Sequence, residues 1–175
     1  ALRGLTINGL GTGQFGIDVQ FGALVAIERC RIANFTQDGI RVNSTAFELR
    51  DSDIRNNSGN GLTATTGRHT VERTTFRQNA TGIDASGTAN VFVSDGLVVA
   101  NGGYGVRASG SALVTITGGE IVGNPTGVFL DGSVASGSTR VAIDRVNITD
   151  NGSNGILANA TSSNAVLQLV VARSL

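Results

Sequence analysis

The sequence predicts an all-β fold, a right-handed parallel β-helix (a single-stranded β-solenoid), on three observations. Apolar residues recur at a fixed long period, a Gly-aliphatic pair recurs with them, and the residues between alternate as strands with one buried face do. Ile32, Ile54, Phe76 and Val98 mark the period, and Ile121 and Ile148 continue it. The repeat is roughly 22 residues, which gives about seven coils in a single domain over 1–175.

The second column is the more regular: Gly16-Ile17, Gly39-Ile40, Gly61-Leu62, Gly82-Ile83, Gly105-Val106, Gly127-Val128 and Gly155-Ile156. Glycine at one place per coil implies a turn that needs positive φ or close backbone approach, followed by a strand entering the core. Alternation at period two, as in Val25-x-Ile27, Cys30-x-Ile32 and Ile40-x-Val42, puts three short strands in each coil. Coils of this length suit a right-handed solenoid, whereas a left-handed one would show hexapeptide units. Parallel crossovers follow the same hand. The lack of a helical period excludes leucine-rich and ankyrin repeats, and an antiparallel β-sandwich is the alternative fold.

Coils stack at the strand spacing of ~4.8 Å, so each column of the sequence becomes a line of contacts. One inward line is Ile17, Ile40, Leu62, Ile83, Val106, Val128 and Ile156; beside it run Val19, Val42, Ala64, Ala85, Ala108, Leu130 and Ala158. Their burial, at roughly 25 cal/mol per Å², is the main stabilising contribution and accrues coil by coil. Three residues after the Ile32 column stand Asn57, Asn79, Asn101, Asn124 and Asn151, with Leu10 and Phe35 holding the place in earlier coils. Stacked amides can hydrogen-bond from coil to coil at a buried turn, so these residues read as a structural asparagine ladder. Asn79-Ala-Thr and Asn151-Gly-Ser are also glycosylation sequons, but an inward turn hinders glycan attachment.

Composition agrees with a repetitive chain: 25 Gly, one Pro, no Trp and no Met. Thirteen basic residues, all Arg, balance thirteen acidic ones, so no net field attracts nucleic acid or an anionic membrane. No apolar run is long enough for membrane insertion. Cys30 is the single cysteine, so no internal disulfide forms. The chain starts within a strand-like segment without a leader and ends on the apolar run Val166 to Ala172, which reads as an excised piece of a longer solenoid. Its two ends then expose strand edges suited to end-to-end self-association.

The segments Leu5-Thr-Ile-Asn-Gly-Leu, Cys30-Arg-Ile-Ala-Asn-Phe and Val146-Asn-Ile-Thr-Asp-Asn-Gly resemble right-handed parallel β-helix repeat proteins of the pectate-lyase-like superfamily. The resemblance spans nearly the whole chain, but its motifs are scaffold motifs and specify fold, not chemistry. It implies an extracellular or cell-surface protein that acts on or binds polysaccharide. A catalyst of that family would show clustered carboxylates for Ca²⁺ facing a basic residue, or a Gly-His-Gly with Arg-x-Lys, or an Asp-Pro-His tract. The chain contains none of these tracts, has no Lys and has one His, His69. No catalytic residue, metal ligand or cofactor is therefore assigned. His69 shares a column with Val25, Phe47, Val91, Val114 and Val141, which makes it a structural inward or corner residue; Tyr104 either packs on the ladder or sits exposed.

Function on such a scaffold sits on outward columns. Two of them, Arg3, Glu28, Arg50, Glu72 and Arg29, Asp51, Arg73, Asp95, alternate in sign and fit register and solubility. Asp51 and Asp53 have Arg29, Arg31, Arg50 and Arg73 around them and should form ion pairs in preference to binding metal. The best candidate ligand surface is Asp18, Arg41, Asp84, Arg107 and Phe129 with Asp131 alongside, where polar groups meet sugar hydroxyls and Phe129 offers a stacking ring. A Gly/Ser-rich insertion within Ser133 to Arg140 lies beside it and is expected to shield Phe129 and Leu157. The leading expectation is a noncatalytic structural or carbohydrate-binding segment. The alternative is a lyase, epimerase or hydrolase whose active site is incomplete in this chain.

Overall fold

The computed structural model describes residues 1–133, 137–162 and 164–173, with the backbone alone at 44 and 45. Every strand pairing is parallel, and successive turns of the chain form one continuous solenoid with three faces. Face C is a seven-stranded sheet of three-residue strands: Thr6–Asn8, Arg31–Ala33, Asp53–Arg55, Thr75–Arg77, Leu97–Val99, Glu120–Val122 and Asn147–Thr149. Seven strands with a return between each pair enclose six complete turns, one fewer than the sequence suggests, with partial turns at both ends. Face A carries the strands of the Gly-aliphatic pairs and face B those that lead back to face C. In two coils faces A and B run together as single strands, Ile40–Arg50 and Leu62–Glu72, with a register irregularity between Val42 and Ala46.

On faces A and C the register matches the aliphatic columns residue for residue. Ile7, Ile32, Ile54, Phe76, Val98, Ile121 and Ile148 stack on face C. Ile17, Ile40, Leu62, Ile83, Val106, Val128 and Ile156 stack on face A. They meet in one core with Phe47, Leu49, Val71, Val93 and Ile116 from face B.

The glycine column owes its residue type to close approach and not to positive φ. A Cβ at Gly105 would lie 2.6 Å from the Gly127 carbonyl oxygen and 2.8 Å from Ile121. Positive φ falls elsewhere: between faces A and B on the glycines Gly22, Gly67, Gly87, Gly110 and Gly137, and at the other two bends mostly on residues other than glycine. Between faces C and A it falls on Asn34, Asn56, Gln78, Ala100, Gly123 and Asp150; between B and C, on Gly4, Arg29, Asp51, Arg73, Asp95, Gly118, Arg145 and Arg173. A left-handed residue of this kind costs about 1–3 kcal/mol. Coil-to-coil pairing of the bent backbone offsets it, as where the Arg29, Asp51 and Arg73 N–H groups donate to Arg50, Glu72 and Ser94 carbonyls at 3.0, 3.1 and 3.0 Å.

At the C-to-A bend, Asn57, Asn79, Asn101 and Asn124 each donate a backbone N–H to the side-chain oxygen of the next asparagine, at 3.0–3.2 Å. Their side-chain amides donate to that same oxygen at 2.9–3.2 Å. Phe35 holds the place one coil earlier, its N–H donating to Asn57 Oδ1 at 3.1 Å. Leu10 does not: it is 80% exposed with φ of 53°, because the first coil is three residues longer and loops outward there. At the B-to-C bend a second stack runs through hydroxyls, Cys30 N–H to Ser52 Oγ at 3.1 Å and Ser52 N–H to Thr74 Oγ1 at 3.4 Å. His69 is buried beneath face B, its ring edge-on to Phe47, with Nε2 2.5 Å from the Thr66 carbonyl oxygen and Nδ1 without a partner.

Candidate functional site

Outward residues of face A are presented by the pleat: once the aliphatic residue after each glycine turns inward, its neighbours must turn out. The column Asp18, Arg41, Thr63, Asp84, Arg107, Phe129, Leu157 is a continuous line of strand partners. The candidate residues on it fall into two groups separated by Thr63.

The first group is the pair Asp18 and Arg41. The guanidinium donates through Nε at 3.0 Å and Nη2 at 2.5 Å to the two carboxylate oxygens, and Gln20 Nε2 donates to both at 2.7 and 2.8 Å. The Arg41 hydrogen bond, with help from Gln20, holds the Asp18 carboxyl below its usual range. Arg41 lies over the Phe15 ring at 4.0 Å, a cation–π contact. Beside it a shallow hollow of about 220 Å³ is lined by Gln20, Arg41, Asn43 and Thr65.

The second group is denser. Arg107 donates through Nε and Nη2 to Asp131 Oδ2 at 3.1 and 2.6 Å, while Nη1 stands 3.5 Å from Asp84 Oδ1. The Asp84 and Asp131 side chains are 13% and 10% exposed, whereas that of Arg107 is 33% exposed. The two carboxyls are pulled in opposite directions. Burial raises the Asp84 pKa, Arg107 opposes it, and the charges on Asp38 and Asp131 raise it further; Oδ1 accepts no hydrogen bond. Burial also pushes Asp131 upward, but hydrogen bonds from Arg107 and Ser133 outweigh it and the net shift is down. The Ser133 N–H donates to Asp131 Oδ1 at 2.9 Å.

Phe129 does not offer the open stacking ring expected of it. It is 8% exposed, and Tyr104 stacks on it with ring centroids 4.7 Å apart and planes 21° from parallel. Tyr104, half-buried at the edge of face A, is the aromatic residue closer to solvent, and sequence reasoning missed this role. The signal was its column: Thr81, Tyr104 and Thr126 are strand partners just before the glycines, so a long side chain there reaches over the next coil. The insertion expected to shield Phe129 and Leu157 lies partly outside the described residues, at 134–136.

Asp51 pairs with Arg73 at 2.7 and 3.1 Å, and this hydrogen-bonded partner holds its carboxyl below the usual range. Asp53 collects Arg77 at 3.0 Å, Arg31 at 3.5 Å and Arg55 at 3.6 Å. Among the described residues no three His, Cys, Asp or Glu side chains converge as metal ligands would, and no helix is long and apolar enough to cross a membrane.

Fold and site together define a parallel β-helix whose outward face carries one compact polar and aromatic patch. Residues 2–95 and 38–171 match the family described as right handed beta helix region, and the chain belongs to it. The solenoid is also similar to solved structures of the periplasmic alginate epimerase AlgG, at 15% identity and a TM-score of 0.66 over 91% of this chain and 42% of that one. A double mutant of that enzyme gives the same identity and score, and an aspartate-to-alanine mutant gives 16% and 0.67 over 99% of this chain and 43% of the other. At these identities the likeness is one of fold, and this chain spans less than half of the enzyme. No curated protein matches the sequence.

Proposed function

We propose that this chain is a noncatalytic, polysaccharide-binding β-helix segment of an extracellular or cell-envelope protein, with face A as its ligand surface. The observation that carries this reading is the second group: Arg107 between Asp84 and Asp131, bordered by the Tyr104–Phe129 stack. Fixed donors and acceptors beside an aromatic edge suit sugar hydroxyls and the apolar face of a sugar ring. The asparagine stack serves the scaffold, since its amides are turned inward and committed to one another. The fold shared with a periplasmic enzyme named for alginate supports both the ligand class and the location. Glycan-array binding by the wild type, reduced at least tenfold in Arg107→Ala and in Tyr104→Ala, is the expected result. Undiminished binding by both variants removes face A as the site.

That same likeness favours a second reading, a polysaccharide lyase, epimerase or hydrolase whose active site is incomplete in this chain. Carboxyls pulled apart in pKa are the arrangement acid–base catalysis uses. Product formation from uronic-acid polymers by this chain alone would establish that reading over the first. The last strand, Ala165–Ala172, leaves Val166, Val170 and Val171 about half exposed, and we read it as an edge for end-to-end association, checked by sedimentation at increasing concentration.

A further inference from the structure

Of the thirteen arginines, Arg68 and Arg140 alone make no ion pair among the described residues. Both are exposed, and they share a column. Arg68, Asn90, Leu113 and Arg140 are successive strand partners along the edge of face B nearer face A. The edge nearer face C carries Glu72, Ser94, Thr117 and Asp144 in the same four coils. Asp95, next to Ser94, is exposed and likewise makes no ion pair among the described residues. Between the two edges run Thr70, Phe92, Thr115, Ala142 and Val170, a column without charge. Phe92 points outward within it and is 40% exposed. Face B thus presents a flat band with a basic edge, an uncharged centre holding one aromatic ring, and an acidic edge.

We propose that this band docks a second copy of the chain, in a two-fold dimer whose axis runs parallel to the solenoid. In a two-fold contact the same patch serves both copies, so the charges must complement themselves under the rotation. With the axis along the solenoid, the basic edge lies on the partner's acidic edge. Arg68 then faces the partner's Glu72, Arg140 the partner's Asp144, and Phe92 the partner's Phe92. An axis along the strands would instead set Arg68 on the partner's Arg140, and like charges in an interface are costly. Glu72 and Asp144 also hold arginines of their own chain, which a carboxylate with about four lone-pair sites can accommodate. One coil below Thr70 the central column reaches Glu48, which would meet its own copy, so the contact ends at Thr70. Five coils of ~4.8 Å and five residues of ~3.3 Å give a footprint that buries roughly 800 Å² in total. That is small for a specific interface, so the dimer is weak and depends on concentration. Face A and the edge of the last strand take no part in it, and each can fail alone.

Sedimentation equilibrium of the intact chain at rising concentration tests this, with cross-linking to place the contact. A monomer–dimer equilibrium is expected, weakened at least tenfold in Phe92→Asp and in Arg68→Glu/Arg140→Glu. Melting curves should be unchanged, because all three side chains are exposed. Thr115→Cys lies on the axis, so a short bismaleimide should join two copies through it. Thr63→Cys, on face A, should give no such product, and neither should the wild type, whose one thiol, Cys30, is buried. A monomer at every concentration overturns the proposal. Association undiminished in both variants assigns self-association to the end strand and overturns it as well, as does cross-linking at Thr63→Cys equal to that at Thr115→Cys.

Discussion

Asn101→Ala isolates one rung of the asparagine stack. Asn101 is 2% exposed; its oxygen accepts from the Asn79 backbone and side-chain N–H groups at 3.1 and 3.2 Å, and its amide donates to Phe76 O and Asn124 Oδ1 at 3.2 and 3.0 Å. Truncation leaves the buried Asn79 backbone N–H without its acceptor, at about 1–3 kcal/mol, and removes further neutral hydrogen bonds worth about 0.5–1.5 kcal/mol each. The Asn79 side chain keeps Ile54 O at 3.1 Å, and Asn124 Oδ1 keeps the Asn101 N–H at 3.0 Å, which limits the loss. The total is about 3 kcal/mol, or roughly 6–12 °C in melting temperature for a chain of this size. Urea unfolding followed by circular dichroism measures the global loss. Hydrogen exchange localises it, since a solenoid can open coil by coil, and the Asn79 amide should lose protection ahead of face B. Asn101→Asp retains the acceptor but turns a second oxygen on Phe76 O and Asn124 Oδ1, so it should be no better than alanine. A loss no larger than that of the exposed Asn159→Ala, or an unchanged Asn79 amide, would refute the reasoning.

Gly105→Ala should lower stability by about 1–3 kcal/mol through overpacking, because its new methyl meets the backbone oxygen of Gly127; a urea midpoint equal to wild type contradicts this. Asp84 has a raised folded pKa, so its contribution is complete below the unfolded value and declines as pH rises through the folded one; Asp84→Asn should therefore gain on wild type from acid to neutral pH in thermal melts. His69 has a pKa lowered by burial, so above 6.5 both states are neutral, and below it the unfolded chain takes up a proton that the fold refuses. Wild type should then lose stability relative to His69→Val at up to about 1.4 kcal/mol per pH unit, and parallel stability curves from pH 7 to 4 would exclude it.

The columns were legible because a solenoid repeats its environment once per turn, so Ile32 and Ile54 face the same problem and share its solution. The bends were less so. Glycine left positive φ and close approach both open at Gly105, and close approach is the one found; the left-handed conformation fell instead on Arg29, Asp51 and Arg73, of which only Asp readily tolerates it, so at the arginines the pairing of neighbouring coils enforces it. Leu10 left its column because Ile7 and Ile32 stand 25 residues apart where Ile32 and Ile54 stand 22 apart, a cue present in the spacing. The hydroxyl stack at Ser52 and Thr74 was visible in the same way, one place after Asp51 and Arg73, but small polar residues at a bend look like ordinary turn composition. At the site, Asp84, Arg107 and Asp131 were read as one surface and do meet. The Tyr104 contact was signalled only by its column beside Thr81 and Thr126, because reach between coils has to be inferred from side-chain length.

Since each surface position of a solenoid is a column, the order of charges along it separates two roles that composition confuses. Alternation lowers the energy of the native register and raises that of a slipped one, so it needs no ligand to explain it. A like-signed neighbour pair does the reverse unless a carboxylate bridges it, and Arg55 over Arg77 has Asp53 at 3.6 and 3.0 Å. Arg145 and Arg173 are also like-signed neighbours at a bend, but both reach Asp144, at 3.1 Å each, so their charge is answered within the chain. Asp53 answers Arg55 and Arg77 as Asp144 answers Arg145 and Arg173, so in both places a shared carboxylate lets like charges stand in neighbouring coils.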